Sequence, residues 1–167
     1  HTGAVKGTTR SMITVLRPRS GGDVSSYGYS IKVSVAVIRA LTGVCMQQDV
    51  LYPFLTVHEH LMLFGNIRGL SCNALRVAVD SIMASVYLVE KRNVTAASLS
   101  GGMKRKLCLA IALIGDPKFL VLDEPTSGLD PYSRRAIWNL IQQRKAGRVV
   151  MLSTHFMDEA DLLGDRI

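Results

Sequence analysis

Three short stretches of this chain carry residues whose types and spacing suit phosphate chemistry. In "KFLVLDEP" an apolar run ends in Asp123 and Glu124. A carboxylate at the tip of a buried strand can hold Mg²⁺ through water, while its neighbour points the other way and can orient an attacking water. Taken alone, the run is equally well a strand with an acidic cap. "LSGGMKRK" places Ser100, Gly101 and Gly102 at the start of a helical pattern. Several backbone N–H groups are then exposed at the positive end of the helix dipole, which suits an anion. By itself "SGG" reads as a loop with an N-cap serine. The third stretch, "RVVMLSTH", ends another apolar run in Ser153, Thr154 and His155. Chance must supply all three in this order and spacing, so together they weigh far more than singly.

A fourth stretch, "HTGAVKGTTR", is close to a phosphate-holding loop but out of register with one. Such a loop reads G-x-x-x-x-G-K-[ST], with glycines that let backbone N–H groups wrap phosphates, a lysine for the β/γ oxygens and a hydroxyl for Mg²⁺. Lys6 is present, but Val5 stands at the second glycine and Gly7 at the hydroxyl. Val5 adds a β-branched side chain that resists positive φ, and Gly7 removes a ligand. Thr8 stands one place later and would serve if the loop shifts.

The elements that must position these residues follow from the patterning. A chain of 167 residues, 48% hydrophobic and 20% charged, is one domain's worth and long enough for a core. Its 6% aromatic content argues against a stacking platform for single-stranded nucleic acid, and no nucleic-acid partner is expected. The net charge of +7, including Lys104-Arg105-Lys106, reads as charge solvating helix faces. Cys45, Cys72 and Cys108 are odd in number and widely spaced, which suits buried thiols in a reducing compartment. The longest apolar run, from Leu107, is far short of a membrane span of about 20 residues. The chain starts at His1 rather than Met, and both ends read as cuts through a longer protein.

An apolar helical face runs from Met12 to Pro18, and residues 31–46 hold one or two strands. Thr56 and Glu59 form a capping box that opens a helix to about Arg68. His58 and His60 face different sides of it and are expected at the surface. A second helix spans Asn73 to Tyr87, and a third begins near Ser100. "KFLVLDEP" and "RVVMLSTH" are expected as strands buried on both faces. Asp130-Pro131 supplies an N-cap and N1 proline for a helix to about Lys145, and another helix begins at Asp158. Strands alternating with helices point to a parallel α/β sheet, in which ligands bind at the carboxyl ends of strands.

With these motifs in order, the chain resembles the nucleotide-binding domain of an ATP-binding cassette (ABC) transporter. "LDEPTSGLDPYSRRAIWNLI" and "STHFMDEADLLGDRI" are most similar to the A subfamily. The resemblance implies a P-loop NTPase-type parallel sheet core (1–50 and 116–167) with a helical signature subdomain (57–115). It implies that Gly3, Ala4, Lys6, Gly7, Thr8 and Thr9 line the phosphate loop. It makes Gln47 the glutamine that meets Mg²⁺ and the attacking water, and Ser100, Gly101 and Gly102 the signature that binds nucleotide held by an opposing domain. Asp123 becomes the Mg²⁺-associated aspartate, with Gln47 and Thr8 also toward the metal. Glu124 is implied as general base, Asp130 as interface aspartate and His155 as switch histidine. The implied cofactors are ATP and Mg²⁺. The implied partners are a second such domain, head to tail, and transmembrane domains carrying a cargo such as lipid, with this domain on the cytoplasmic face.

Against the family pattern, Thr2 replaces an asparagine of the loop, and Met46 replaces the usual proline before Gln47. Val5 and Gly7 therefore keep a second reading open: an impaired cassette domain that lends its signature to a partner. A soluble cassette ATPase of translation or DNA repair is a third reading. The A-type "FMDEADLLGDRI" and the lack of a long charged insertion stand against it.

Overall fold

The structure is a computed structural model that describes residues 25–26, 29–30 and 35–166. The phosphate-loop positions Gly3, Ala4, Lys6, Gly7, Thr8 and Thr9, and the helix expected from Met12, lie outside the described residues. The chain divides into two compact units, 1–42 and 43–167. In the first, β1 (Ser25–Ser26) pairs antiparallel with β2 (Tyr29–Ser30), and α1 spans Val35–Leu41. Strand was expected across 31–46, but Val35–Leu41 is helical despite its Val and Ile content. The Thr42 hydroxyl donates to the Ile38 carbonyl at 2.6 Å, closing that helix end. Only Thr42–Cys45, β3, is strand there. Propensity is a weak prior that local bonding overrides.

The larger unit is built on a sheet in the order β3, β4 (Phe119–Asp123), β5 (Val149–Ser153). β4 and β5 run parallel, with Phe119 opposite Val149 and Asp123 opposite Ser153. Equal register brings the polar ends of both strands to one edge, the edge where ligands bind in such sheets. Every residue of β4 is buried, as its continuous apolar run requires. β5 corrects the expectation of burial on both faces: Val149 is 53% exposed and the rest only half-buried. Among the described residues it ends the sheet, with a neighbour on one side only.

The helices follow their apolar stripes. α2 (Val57–Ile67) starts at the capping box: the Glu59 N–H donates to the Thr56 hydroxyl at 3.2 Å, and the Thr56 N–H donates to the Glu59 carboxylate at 2.7 Å. It packs on α3 (Cys72–Ser85) through Leu61, Leu75 and Val79, all buried. The contact is close because Gly65 has no Cβ; one would stand 2.2 Å from Leu75. α4 (Gly101–Leu113) is buried along most of its length by Leu107, Cys108, Leu109, Ala110 and Ala112. β3 approaches it at Gly43, where a Cβ would stand 2.1 Å from the Ala112 carbonyl. α5 (Pro131–Arg144) and α6 (Met157–Leu163) follow β4 and β5. Among the described residues, no helix is long and apolar enough to cross a membrane.

Two expectations about single residues fail here. His60 is fully buried, not at the surface: its Nε2 accepts from the Tyr52 N–H at 3.0 Å, and its Nδ1 donates to the Thr56 carbonyl at 2.8 Å. Two backbone partners that fix one tautomer offset the cost of burying the ring. Of the three thiols, all free, Cys45 and Cys108 are buried as expected but Cys72 is exposed at the start of α3.

Candidate functional site

The site is assembled where β4, β5 and the loop after β3 end. Glu124 follows β4 with φ of +47°, a left-handed backbone uncommon for a residue with a Cβ. It is held there from both sides. Its N–H donates to the Ser153 carbonyl at 2.8 Å, and its own carbonyl accepts from Ser127 N–H at 3.1 Å and Arg105 Nη2 at 2.9 Å. Such a backbone costs about 1–3 kcal/mol and persists only where the surroundings over-determine it.

The side chain of Glu124 is, by contrast, loosely met. Gln47 Nε2 donates to Oε2 at 3.5 Å, and His155 Nδ1 lies 3.5 Å from the same oxygen. Both contacts sit at the long limit of hydrogen bonding. Glu124 keeps 26% of its side chain exposed and His155 55%. Gln47, Glu124 and His155, far apart in sequence, thus meet at one carboxylate oxygen at the sheet's edge. His155 lies against Phe156, with ring centroids 4.0 Å apart and planes tilted by 38°, and the Arg134 guanidinium lies 3.8 Å from the Phe156 ring centre.

Asp123 is placed differently. Its side chain is buried, and Oδ1 accepts from the Ser153 hydroxyl at 2.6 Å, a bond across the β4–β5 pair. Asp130 caps α5, its Oδ1 accepting from the Ser133 N–H at 2.9 Å. That bond to the helix start holds its carboxyl below the ordinary aspartate range. The turn between Glu124 and Asp130 reverses at Gly128, whose φ is +73°.

Ser100 caps α4 and accepts from the Met103 N–H at 3.3 Å. A Cβ on Gly101 would meet nothing within 4 Å, so no contact within the fold requires glycine there. Its absence leaves the helix start bare, a surface on which a phosphate's oxygens can reach backbone N–H groups directly. Among the described residues no group of three or more His, Cys, Asp or Glu could hold a metal ion. The donor set at this edge suits Mg²⁺ held by one carboxylate together with phosphate oxygens rather than by a protein cage.

Sequence reading missed Arg105. Expected as solvating charge within Lys104-Arg105-Lys106, Arg105 is in fact only 3% exposed. Its guanidinium lies among backbone carbonyls of two segments. Nε donates to Pro125 at 3.3 Å, Nη1 to Met46 and, at 3.3 Å, to Gln47, and Nη2 to Asp123 and Glu124. Asp49 Oδ1, 3.3 Å from Nη1, supplies the opposite charge. The sequence does not single it out, since Lys104 and Lys106 have apolar neighbours at the same helical spacing. The buried setting pushes the nearby Cys45 thiol up to about 11, chiefly through desolvation, and raises Cys108 further for the same main reason.

A family model described as ABC transporter matches residues 1–127. The chain is 52% identical over 167 residues to the phospholipid-transporting ATPase ABCA3 of Mus musculus, covering 100% of this chain and 10% of that protein. It is 47% identical to the retinal-specific phospholipid-transporting ATPase ABCA4 of Mus musculus, covering 100% of this chain and 7% of that one. It is 48% identical to ABC transporter A family member 9 of Arabidopsis thaliana, of which it covers 18%. The chain therefore spans a small part of the length of these relatives. Among solved structures, an ATP-binding subunit of an ABC transporter superposes with a TM-score of 0.87 at 30% identity, over 96% of this chain and 68% of that one. A dimeric ATP-binding cassette in a post-hydrolysis state, bound to ADP and Pi, gives 0.84 at 24% identity, over 94% of this chain and 72% of that one, and shares the fold.

Proposed function

Because the chain belongs to the ABC transporter family, we propose that it binds ATP with Mg²⁺ and hydrolyses it to drive transport, with Glu124 as general base. The convergence of Gln47 and His155 on Glu124 Oε2 carries this reading. A carboxylate fixed through its backbone and partly exposed can take a proton from an attacking water. Gln47 would steady the carboxylate as water binds, and the half-exposed His155 would meet a phosphate oxygen. Asp123, with Gln47 and Thr8, would hold Mg²⁺, whose charge neutralises the phosphates when it is bound. Lys6, with Gly3, Ala4, Gly7 and Thr9, would line the phosphates. Ser100, Gly101 and Gly102 would close on nucleotide held by a second cassette domain arranged head to tail, with Asp130 at that interface.

Residues 1–50 and 116–167 act in this reading as the core and 57–115 as the helical lobe. The domain works at the cytoplasmic face of a membrane through transmembrane domains of the same transporter. Phospholipid is the proposed cargo class, from the names of the ABCA3 and ABCA4 relatives. The alternative of an impaired domain that only lends its signature is not favoured, since a site relieved of hydrolysis has little use for three converging side chains. The test is Glu124→Gln in the complete protein. Turnover should fall about 100- to 1,000-fold, with nucleotide binding kept, as expected when a general base is lost. A rate within threefold of wild type would contradict the assignment.

A further inference from the structure

We propose that Arg105 is a positioning residue for hydrolysis, tying the Gln47 segment and the strained turn at Glu124 to the helix that starts at Ser100. The proposal deepens the ATPase reading above and rests on it. Arg105 is the only buried lysine or arginine among the described residues. Its five N–H groups face six acceptors, so every donor is used and one is shared. Three of those acceptors are the successive carbonyls of Asp123, Glu124 and Pro125, which bracket the left-handed residue. Two more are the carbonyls of Met46 and Gln47, the segment whose side chain meets Glu124.

The chemistry of the side chain explains the choice. A planar fork can bond two backbone segments at once, whereas an ammonium offers three donors from a single point. Apolar packing would fill the same space but take one donor away from each of five inward-turned carbonyls. Nothing about α4's own stability calls for this, because the helix is already buried along its length by apolar residues. What Arg105 adds is a fixed geometry. Glu124 cannot relax its backbone, and Gln47 cannot drift from it, without breaking bonds to α4. The Ser100 end of that same helix is exposed. An anion drawn to Ser100, Gly101 and Gly102 therefore bears on the hydrolytic carboxylate through one rigid piece.

Purified complete protein should be compared as wild type, Arg105→Lys and Arg105→Met, by ATPase kinetics and by amide hydrogen exchange. We expect kcat to fall about 30-fold in Arg105→Met and about tenfold in Arg105→Lys, with KM for ATP within about twofold. Exchange in residues 44–55 and 119–130 should quicken about tenfold, while residues 57–67 and 72–85 keep their rates. Should Arg105→Met fail to fold, Arg105→Lys carries both readouts. A kcat within about twofold of wild type in Arg105→Lys overturns the proposal, and so does a loss confined to KM or a speeding of exchange spread evenly over the chain. The exchange comparison needs no turnover. If Glu124→Gln leaves the rate unchanged, the ATPase reading fails while the exchange result still decides the role of Arg105.

Discussion

Two glutamates near the carboxyl edge of the sheet are held in opposite ways. Glu124 is fixed by its backbone, with bonds at its N–H and its carbonyl, while among the described residues its carboxylate has two contacts, both at 3.5 Å. Glu159, on α6, is fully buried and fixed by its carboxylate: Oε1 accepts from the Thr126 hydroxyl and from the Trp138 indole N–H, both at 2.9 Å. Thr126 lies two residues beyond Glu124, and Trp138 is on α5, so Glu159 joins the turn after β4 to both following helices. A carboxylate whose bonds are tight and buried is a brace. One that is anchored only through its backbone is free to exchange partners during a reaction. The difference separates structure from chemistry among acids that look alike in sequence.

The largest way to break that contrast is on the stability side. Glu159→Leu removes the shared acceptor and leaves the buried Thr126 hydroxyl and the Trp138 N–H without it. A loss of about 3 kcal/mol in unfolding free energy is expected from urea titration, whereas Glu124→Gln should cost less than about 0.5 kcal/mol. Equal losses in the two variants would erase the distinction.

The phosphate loop sharpens the contrast from the other side. If the edge with Glu124 is complete, any weakness in nucleotide handling belongs to Val5 and Gly7. Val5→Gly with Gly7→Thr should then tighten MgATP binding about tenfold, read by calorimetry on the complete protein. Unchanged affinity would mean that Thr8 already supplies the hydroxyl.

Much of this arrangement was legible wherever the cause is local. The Thr56–Glu59 box, the Asp130 cap with its N1 proline, and the Ser100 cap were read from a few adjacent residues, and each forms as read. β4 was legible because a fully buried strand leaves an unbroken apolar run. What escaped depends on partners that side-chain patterning does not show. Arg105 and the lysines flanking it look alike in sequence, and only the carbonyls of residues 46–47 and 123–125 make the middle one internal. His60 was misread because its partners are backbone groups, which leave no trace in side-chain patterning. Glu159 passes in sequence for an acid stabilising a helix start, although its i+4 neighbour Leu163 marks the same buried stripe. The Val5 and Gly7 departures are plain in the sequence, and the loop itself lies outside the described residues.

A smaller effect separates capping carboxylates from both glutamates. Glu59 and Asp130 are exposed, and hydrogen bonds to helix-start N–H groups, from Thr56 and Ser133, lower their titration points. Their contribution is present above the ordinary carboxylate range near pH 4 and is lost as pH falls through the lowered values. Thermal midpoints should therefore decline below about pH 4, and Asp130→Asn, which keeps a capping oxygen, should flatten part of that decline. An identical acid profile in the variant would count against the cap.

In the proposed reaction, Glu124, Gln47 and His155 act as one unit. Steady-state turnover of the complete protein carrying Glu124→Gln, His155→Ala and the two together tests it most directly. Groups that serve one step are not additive, so the double variant should be no more than about threefold slower than the slower single one. Losses that multiply, with the double variant slower by the product of the single effects, would show two independent functions and contradict the account.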